Sequence, residues 1–270
     1  TNGCGTTVLT SPMAISLTGK WLGTSSTDWN DAANWPCGTV PDATIDVLIP
    51  AGTTYLPDFS AATFTMKGLT VASTVTISVS SDAILNVKGA LTNNGTINGD
   101  GYVNLSGATA QTISGKGYYS NVTMANSNGA SITAGDTMFI TSVYTNSAGT
   151  MTTNGGLALV ATASTAGRIA QITGGNISGD VQVQQYITGG RRAYRFLGHP
   201  FSSYIALSQL TPYIDITGTG GISNGFTSTN SNASSCFWYN TIAGNATKAY
   251  DPGWSSFGAT NTAADSNKFN

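Results

Sequence analysis

Glutamate is missing from this chain. All 12 acidic residues are aspartate, lysine and arginine together number 10, and charged residues make up only 8% of the sequence. Lysine and glutamate favour helices, whereas the abundant threonine, valine and isoleucine favour strands, so the balance argues against long helices. There is one histidine, His199, which excludes multi-histidine metal sites. No C-x-x-C pair occurs, so the three cysteines do not suggest zinc. No apolar run reaches the roughly 18 residues of a membrane helix. A formal net charge of -2 gives no footprint for nucleic acid or an anionic membrane surface.

What remains is enough apolar material for a core, 40% of the residues, set among threonine, serine, asparagine and glycine. The pattern shows in 82–105, DAILNVKGALTNNGTINGDGYVNL, and again in 136–159, DTMFITSVYTNSAGTMTTNGGLAL. At a shift of 54 the two share Asp82/Asp136, Gly95/Gly149, Thr96/Thr150, Gly101/Gly155 and Leu105/Leu159. A shorter echo, Ile177-Ser178-Gly179-Asp180, repeats Ile97-Asn98-Gly99-Asp100. Short apolar alternations between Asn, Gly and Thr turns are strand signals, and their recurrence suggests stacked coils. The sequence therefore predicts an all-β chain: a Trp-rich N-terminal cap over 1–50, a parallel β-solenoid (β-helix) over 51–187, and a β-sandwich-like second β domain, incomplete, over 188–270. A sandwich with look-alike strands is the alternative for the middle. In the solenoid reading Val, Ile and Leu stack inward, including Ile169, Ile172, Val181 and Val183, while Thr, Ser and Asn face out.

The first 50 residues carry Trp21, Trp29 and Trp35, enough aromatic volume to plug the open end of a solenoid. Asp28, Asn30 and Asp31 can accept backbone N–H bonds in the turns between them. They are also a calcium candidate, but lack the glycine and closing glutamate of an EF-hand loop. Cys4 and Cys37 flank this segment, so a bridge between them would pin the cap in an oxidising compartment, with three free thiols as the alternative. Cys236 is left over, which suggests a partner beyond this chain or on another subunit.

W-x-G-x-x-S-x-D-W-x-x-x-x-N-W at 21–35, Val40-Pro41, and Val47-Leu48-Ile49-Pro50-Ala51-Gly52 together resemble the opening module of secreted cell-surface proteins of Bacteroidota. LeuThrAsnAsnGlyThrIleAsnGly at 91–99, GlnThrIleSerGly at 111–115 and GlyGlyArgArgAlaTyrArgPheLeuGlyHisPro at 189–200 are similar to the same group. The resemblance implies export by the type IX secretion pathway and a role as adhesin, gliding-surface protein or extracellular filament. It also implies a C-terminal sorting domain; none is visible here, so the chain is expected to be a segment of something longer. In the resembled group Asp136-Thr137-Met138 would make Thr137 an O-glycosylation acceptor.

Catalytic parts are few. A Ser202/His199/Asp215 triad can be written, but no G-x-S-x-G elbow supports it. Asp82, Asp100, Asp136 and Asp180 are spread over turn positions, where capping is the simpler role. Arg191, Arg192 and Arg195 lie among aromatics, as at a carboxylate-binding patch or a domain junction where Arg stacks on rings; with Cys236 they are interface candidates. The expectation is a non-enzymatic structural or adhesive segment of a large extracellular surface protein, working as a homo-oligomer or filament, with surface glycans or cells as partners. No cofactor, nucleic acid or membrane insertion is expected. The second hypothesis, a carbohydrate-binding or carbohydrate-active β-helix, needs an outward aromatic row, for which Tyr102, Tyr118, Tyr119 and Tyr144 are the candidates.

Overall fold

A computed structural model describes residues 18–189, 196–199, 205–230, 232–239 and 253–260. It divides into two compact units, 1–189 and 190–270. The first is a parallel β-solenoid of about seven turns. The coils from Leu69 to Ile169 each contribute a strand to three faces, and the end coils to fewer. The first face is an eight-stranded parallel sheet running from Thr18–Lys20 through Asp46–Ile49, Leu69–Val71, Leu91–Asn93, Gln111–Ser114, Ala130–Ile132 and Thr150–Thr152 to Asn176–Ser178. The second face takes Thr76–Ser78, Thr96–Asn98, the front of Lys116–Met124, the front of Thr137–Asn146, Leu157–Leu159 and Val181–Val183. The third takes Thr63–Met66, Ile84–Val87, Tyr102–Leu105, the back halves of the same two long strands, and Arg168–Ile169. The long strands pass from second to third face through a register shift between Tyr119 and Asn121.

Strand alternation decides which side chains enter the core. On the first face Val47, Leu69, Leu91, Ile113 and Ile132 stack rung on rung. On the third, Phe64, Leu85, Val103, Val122 and Tyr144 do the same. All ten are buried. No coil can bury its apolar row alone, so neighbouring rungs supply the core between them.

Two expectations about this unit need correction. The solenoid starts at Thr18–Lys20, which pairs in parallel with Asp46–Ile49, not at residue 51. The 54-residue shift is not the coil period: Leu91 pairs with Ile113 and Ile113 with Ile132, 22 and 19 residues on. Leu85 is an inward residue of the third face, while its supposed counterpart Phe139 lies on the second. The two segments look alike because every corner needs the same chemistry. A β-carbon on Gly95 would run into the Val75 carbonyl, and Gly149 sits at φ 67 against the Asn126 carbonyl. Both corners accept only glycine, although they are different corners of the coil.

The corners also take polar residues inward, against the expectation that asparagine faces out. Asn93, Gln111, Asn126 and Asn146 are buried. Asn93 accepts from the Gly95 N–H at 2.9 Å and donates to the Tyr118 carbonyl at 3.1 Å. Gln111 donates to the carbonyls of Val87 and Gly89 at 3.0 and 2.7 Å, and its carbonyl oxygen accepts from Asn126 at 3.0 Å. Turning chains leave backbone groups outside the ladders, and these amides satisfy them. At the far end the core thins. Ile169, Ile177 and Val181 are only half-buried, and Ile172 and Val183 are exposed, so the expected inward row does not close over the last coil.

The described residues of the second unit hold one antiparallel pair, Phe237–Tyr239 with Trp254–Ser256, and two short 3-10 turns, Leu207–Gln209 and Gly221–Asn224. Leu207, Ile216, Phe226 and Phe257 form its core. The expected β-sandwich is not seen among these residues. The segment is instead turn-rich, with Gly220, Gly221 and Gly225 at positive φ breaking the chain before a strand can extend.

Candidate functional site

The cap is the most built-up local structure. Trp21, Trp29 and Trp35 are all buried and pack with Phe59 and Phe64. Trp29 is the centre: its ring lies 4.6 Å from Trp35, 5.2 Å from Phe59 and 5.7 Å from Phe64. The indole N–H of Trp21 donates to the Tyr55 carbonyl and that of Trp35 to the Trp29 carbonyl, both at 2.7 Å. Asn34, fully buried, ties the connecting loop. Its carbonyl oxygen accepts from the N–H groups of Ser25 and Ser26, and its amide donates to the carbonyls of Ser26 and Asp28.

The calcium candidate resolves into the same loop. Asp28 accepts from the Asn30 N–H at 2.9 Å. Asp31 accepts from the Ala33 N–H with one oxygen and from the Ser26 hydroxyl with the other, both at 3.0 Å. Hydrogen bonds from Ser25, Ala33 and Ser26 hold the Asp31 carboxyl below its ordinary range. These carboxylates cap turns. Among the described residues, no group of three or more His, Cys or Asp side chains is placed to hold a metal ion. Cys37 is exposed at φ 57 in the Pro36–Gly38 turn. Cys4, its expected partner, lies outside the described residues, as do Arg191, Arg192, Arg195 and Ser202. Asp215 and His199 are described, but without Ser202 the triad has no geometry to test. Cys236 is a free, half-buried thiol beside the second unit's core, and burial pushes its pKa up, which disfavours the reactive thiolate.

Four tyrosines were candidates for an outward aromatic row, and the fold separates them. Tyr119 and Tyr144 point into the core, where burial pushes both phenols well above their ordinary value. Tyr102 is half-buried on the third face. Tyr118 is exposed on the second face and stacks on Phe139 of the next coil, 4.7 Å between ring centroids at 18°. Phe139 was legible from strand alternation, since inward Met138 and Ile140 flank it. Each of the two stacked rings covers one face of the other. A sugar-binding platform needs an open ring face, so this pair reads first as an inter-coil staple.

The aspartates of the repeat fall at two corners, Asp82 and Asp100 before third-face strands and Asp136 and Asp180 before second-face strands. Asp82 accepts from the Ala61 N–H of the preceding coil at 3.2 Å, a capping bond. Thr137, the glycosylation candidate, is half-buried where its strand begins, and its N–H donates to the Gly115 carbonyl. One surface hollow is lined by Ala110, Ser127, Asn128, Gly129, Ser131 and Thr150, a neutral set with no acid, base or nucleophile pair. No helix among the described residues is long and apolar enough to cross a membrane.

The unit is thus an all-β parallel solenoid with a sealed aromatic cap. A family model described as a domain of unknown function (DUF8693) matches residues 20–107, the cap and the first coils. No curated protein and no solved structure matches the chain.

Proposed function

We propose that the chain is a structural or adhesive segment of a large secreted cell-surface protein, a non-enzymatic spacer that assembles into an extracellular filament or appendage. The observation that carries this reading is the make-up of the solenoid. Its apolar rows are spent on inter-coil packing, and its outward strand positions are mainly Thr, Ser and Asn. Such an object is stiff for its mass, since each coil is fixed by its neighbours. Export by the type IX pathway, an extracellular location and a Cys4–Cys37 bridge belong to the same proposal, supported by the cap motif and by the position of Cys37 in the cap turn. The second reading, carbohydrate binding, is favoured by the exposure of Tyr118 beside Phe139. A glycan array and a polysaccharide turnover screen with the purified chain test the choice. Structural use predicts no turnover and no binding that depends on Tyr118. Glycan binding abolished by Tyr118→Ala, or turnover abolished by Asp100→Ala or Asp180→Ala, would replace it.

A further inference from the structure

The third face of the solenoid has charged edges of opposite sign. Ile84 pairs with Tyr102, so two residues upstream Asp82 and Asp100 follow one another at the same corner. Asp58 lies just before that corner in the coil above, whose Ala61 N–H donates to Asp82. All three aspartates are exposed. At the opposite edge Met66 pairs with Val87, so Lys67 and Lys88 follow one another in the same way. Lys67 is exposed and shared with Asp46 at 2.9 Å; Lys88 is half-buried and donates to the Ser106 carbonyl. Between the edges, Ile84, Tyr102 and Asn104 are uncharged and half-buried, and an exposed charge, Arg168, enters only on the sixth strand.

From Asp82 to Lys88 is six residues, about 20 Å at strand rise. That exceeds the roughly 8 Å screening length of physiological salt, so one edge does not neutralise the other across its own face. A second copy can. Turning a copy by 180° about an axis parallel to the solenoid lays its lysine edge over the aspartate edge of the first, and the reverse. Turning it about an axis along the strands lays aspartate on aspartate and lysine on lysine. Six strands about 4.8 Å apart give a face of about 600 Å² per partner, which reaches the low end of specific interfaces.

We infer that the third face is a self-association surface, through which two copies pack side by side with their solenoid axes parallel. This rests on the proposed role as an assembling structural segment. The orientation is set by charge, since like-charge juxtaposition selects against the antiparallel arrangement.

Charge reversal tests it. Two variants of the 270-residue chain, Asp58→Lys/Asp100→Lys and Lys67→Asp/Lys88→Asp, are first compared with the parent by thermal melting, then by sedimentation velocity alone and mixed. Each variant alone should self-associate about tenfold more weakly or worse, and the mixture should recover a heterodimer. Should a reversal melt early, salt supplies a second measurement on the unmodified chain, whose association should weaken steeply from low to high ionic strength. Orientation is read with a short thiol cross-linker against the unmodified chain as background: Asp100→Cys mixed with Lys88→Cys should give a cross-linked pair that Asp100→Cys alone does not. Self-association untouched by reversal, or cross-linking of Asp100→Cys to itself, overturns this surface and its orientation while leaving assembly standing. A chain that stays monomeric throughout overturns both.

Discussion

Replacing Trp29 by alanine removes the hub of the cap. The side chain is 3% exposed and touches four aromatic rings, those of Trp21, Trp35, Phe59 and Phe64. A buried Trp→Ala change costs about 3–5 kcal/mol through lost transfer energy and the cavity left behind. In a unit of this size that lowers Tm by about 6–20 °C. The site of the loss is more diagnostic than its size. Coils touch only their neighbours, so damage at the cap should spread poorly along the stack. Amide exchange should rise at Thr18–Lys20, Asp46–Ile49 and Thr63–Met66, and stay protected in Lys116–Met124 and Thr137–Asn146. The variant is melted with circular dichroism detection, and exchange is followed by mass spectrometry. A Tm within about 2 °C of the parent would show that the tryptophans do not seal a core. Equal loss of protection in every coil would show that the solenoid does not behave as a chain of local interfaces.

Gly95→Ala should destabilise by about 1–3 kcal/mol in denaturant titration, because the added methyl meets the Val75 carbonyl. Tyr144→Phe should leave the melting temperature unchanged or raise it, since its buried hydroxyl has no hydrogen-bond partner among the described residues. Hydrogen bonds hold Asp31 and Asp42 below the ordinary 3.8, Asp42 through Thr44. A carboxyl lowered in the folded state stabilises above its unfolded value and loses that contribution as pH falls through the lowered one. Acid titration of tryptophan fluorescence should therefore show the cap loosening only below about pH 3.8, and earlier in Asp31→Asn.

The β-class, the solenoid and the aromatic cap were legible because they rest on local rules: strand alternation at Val75, Ile77 and Val79, Gly and Asn at corners, and three tryptophans in one stretch. The coil period was not. Corners of different faces share their chemistry, so Gly95 and Gly149 matched although they turn different corners, and only strand pairing reveals the shorter spacing. The inward asparagines were missed because Asn93 and Asn126 look like turn residues; their burial follows from backbone groups that only the stacked coils leave unpaired. Tyr118 and Tyr119 are adjacent, so alternation says that one faces in, but which one depends on the register with Ile97. The opposed charge edges were hidden for the same reason, since Asp82 and Asp100 become neighbours only when coils stack.

Electron cryomicroscopy of material sheared from the surface of the producing cells tests the assembly reading most directly. The account predicts copies of this solenoid in regular lateral contact, with their axes parallel and their third faces paired. Isolated single copies, with no contact between solenoids in the native specimen, would contradict it.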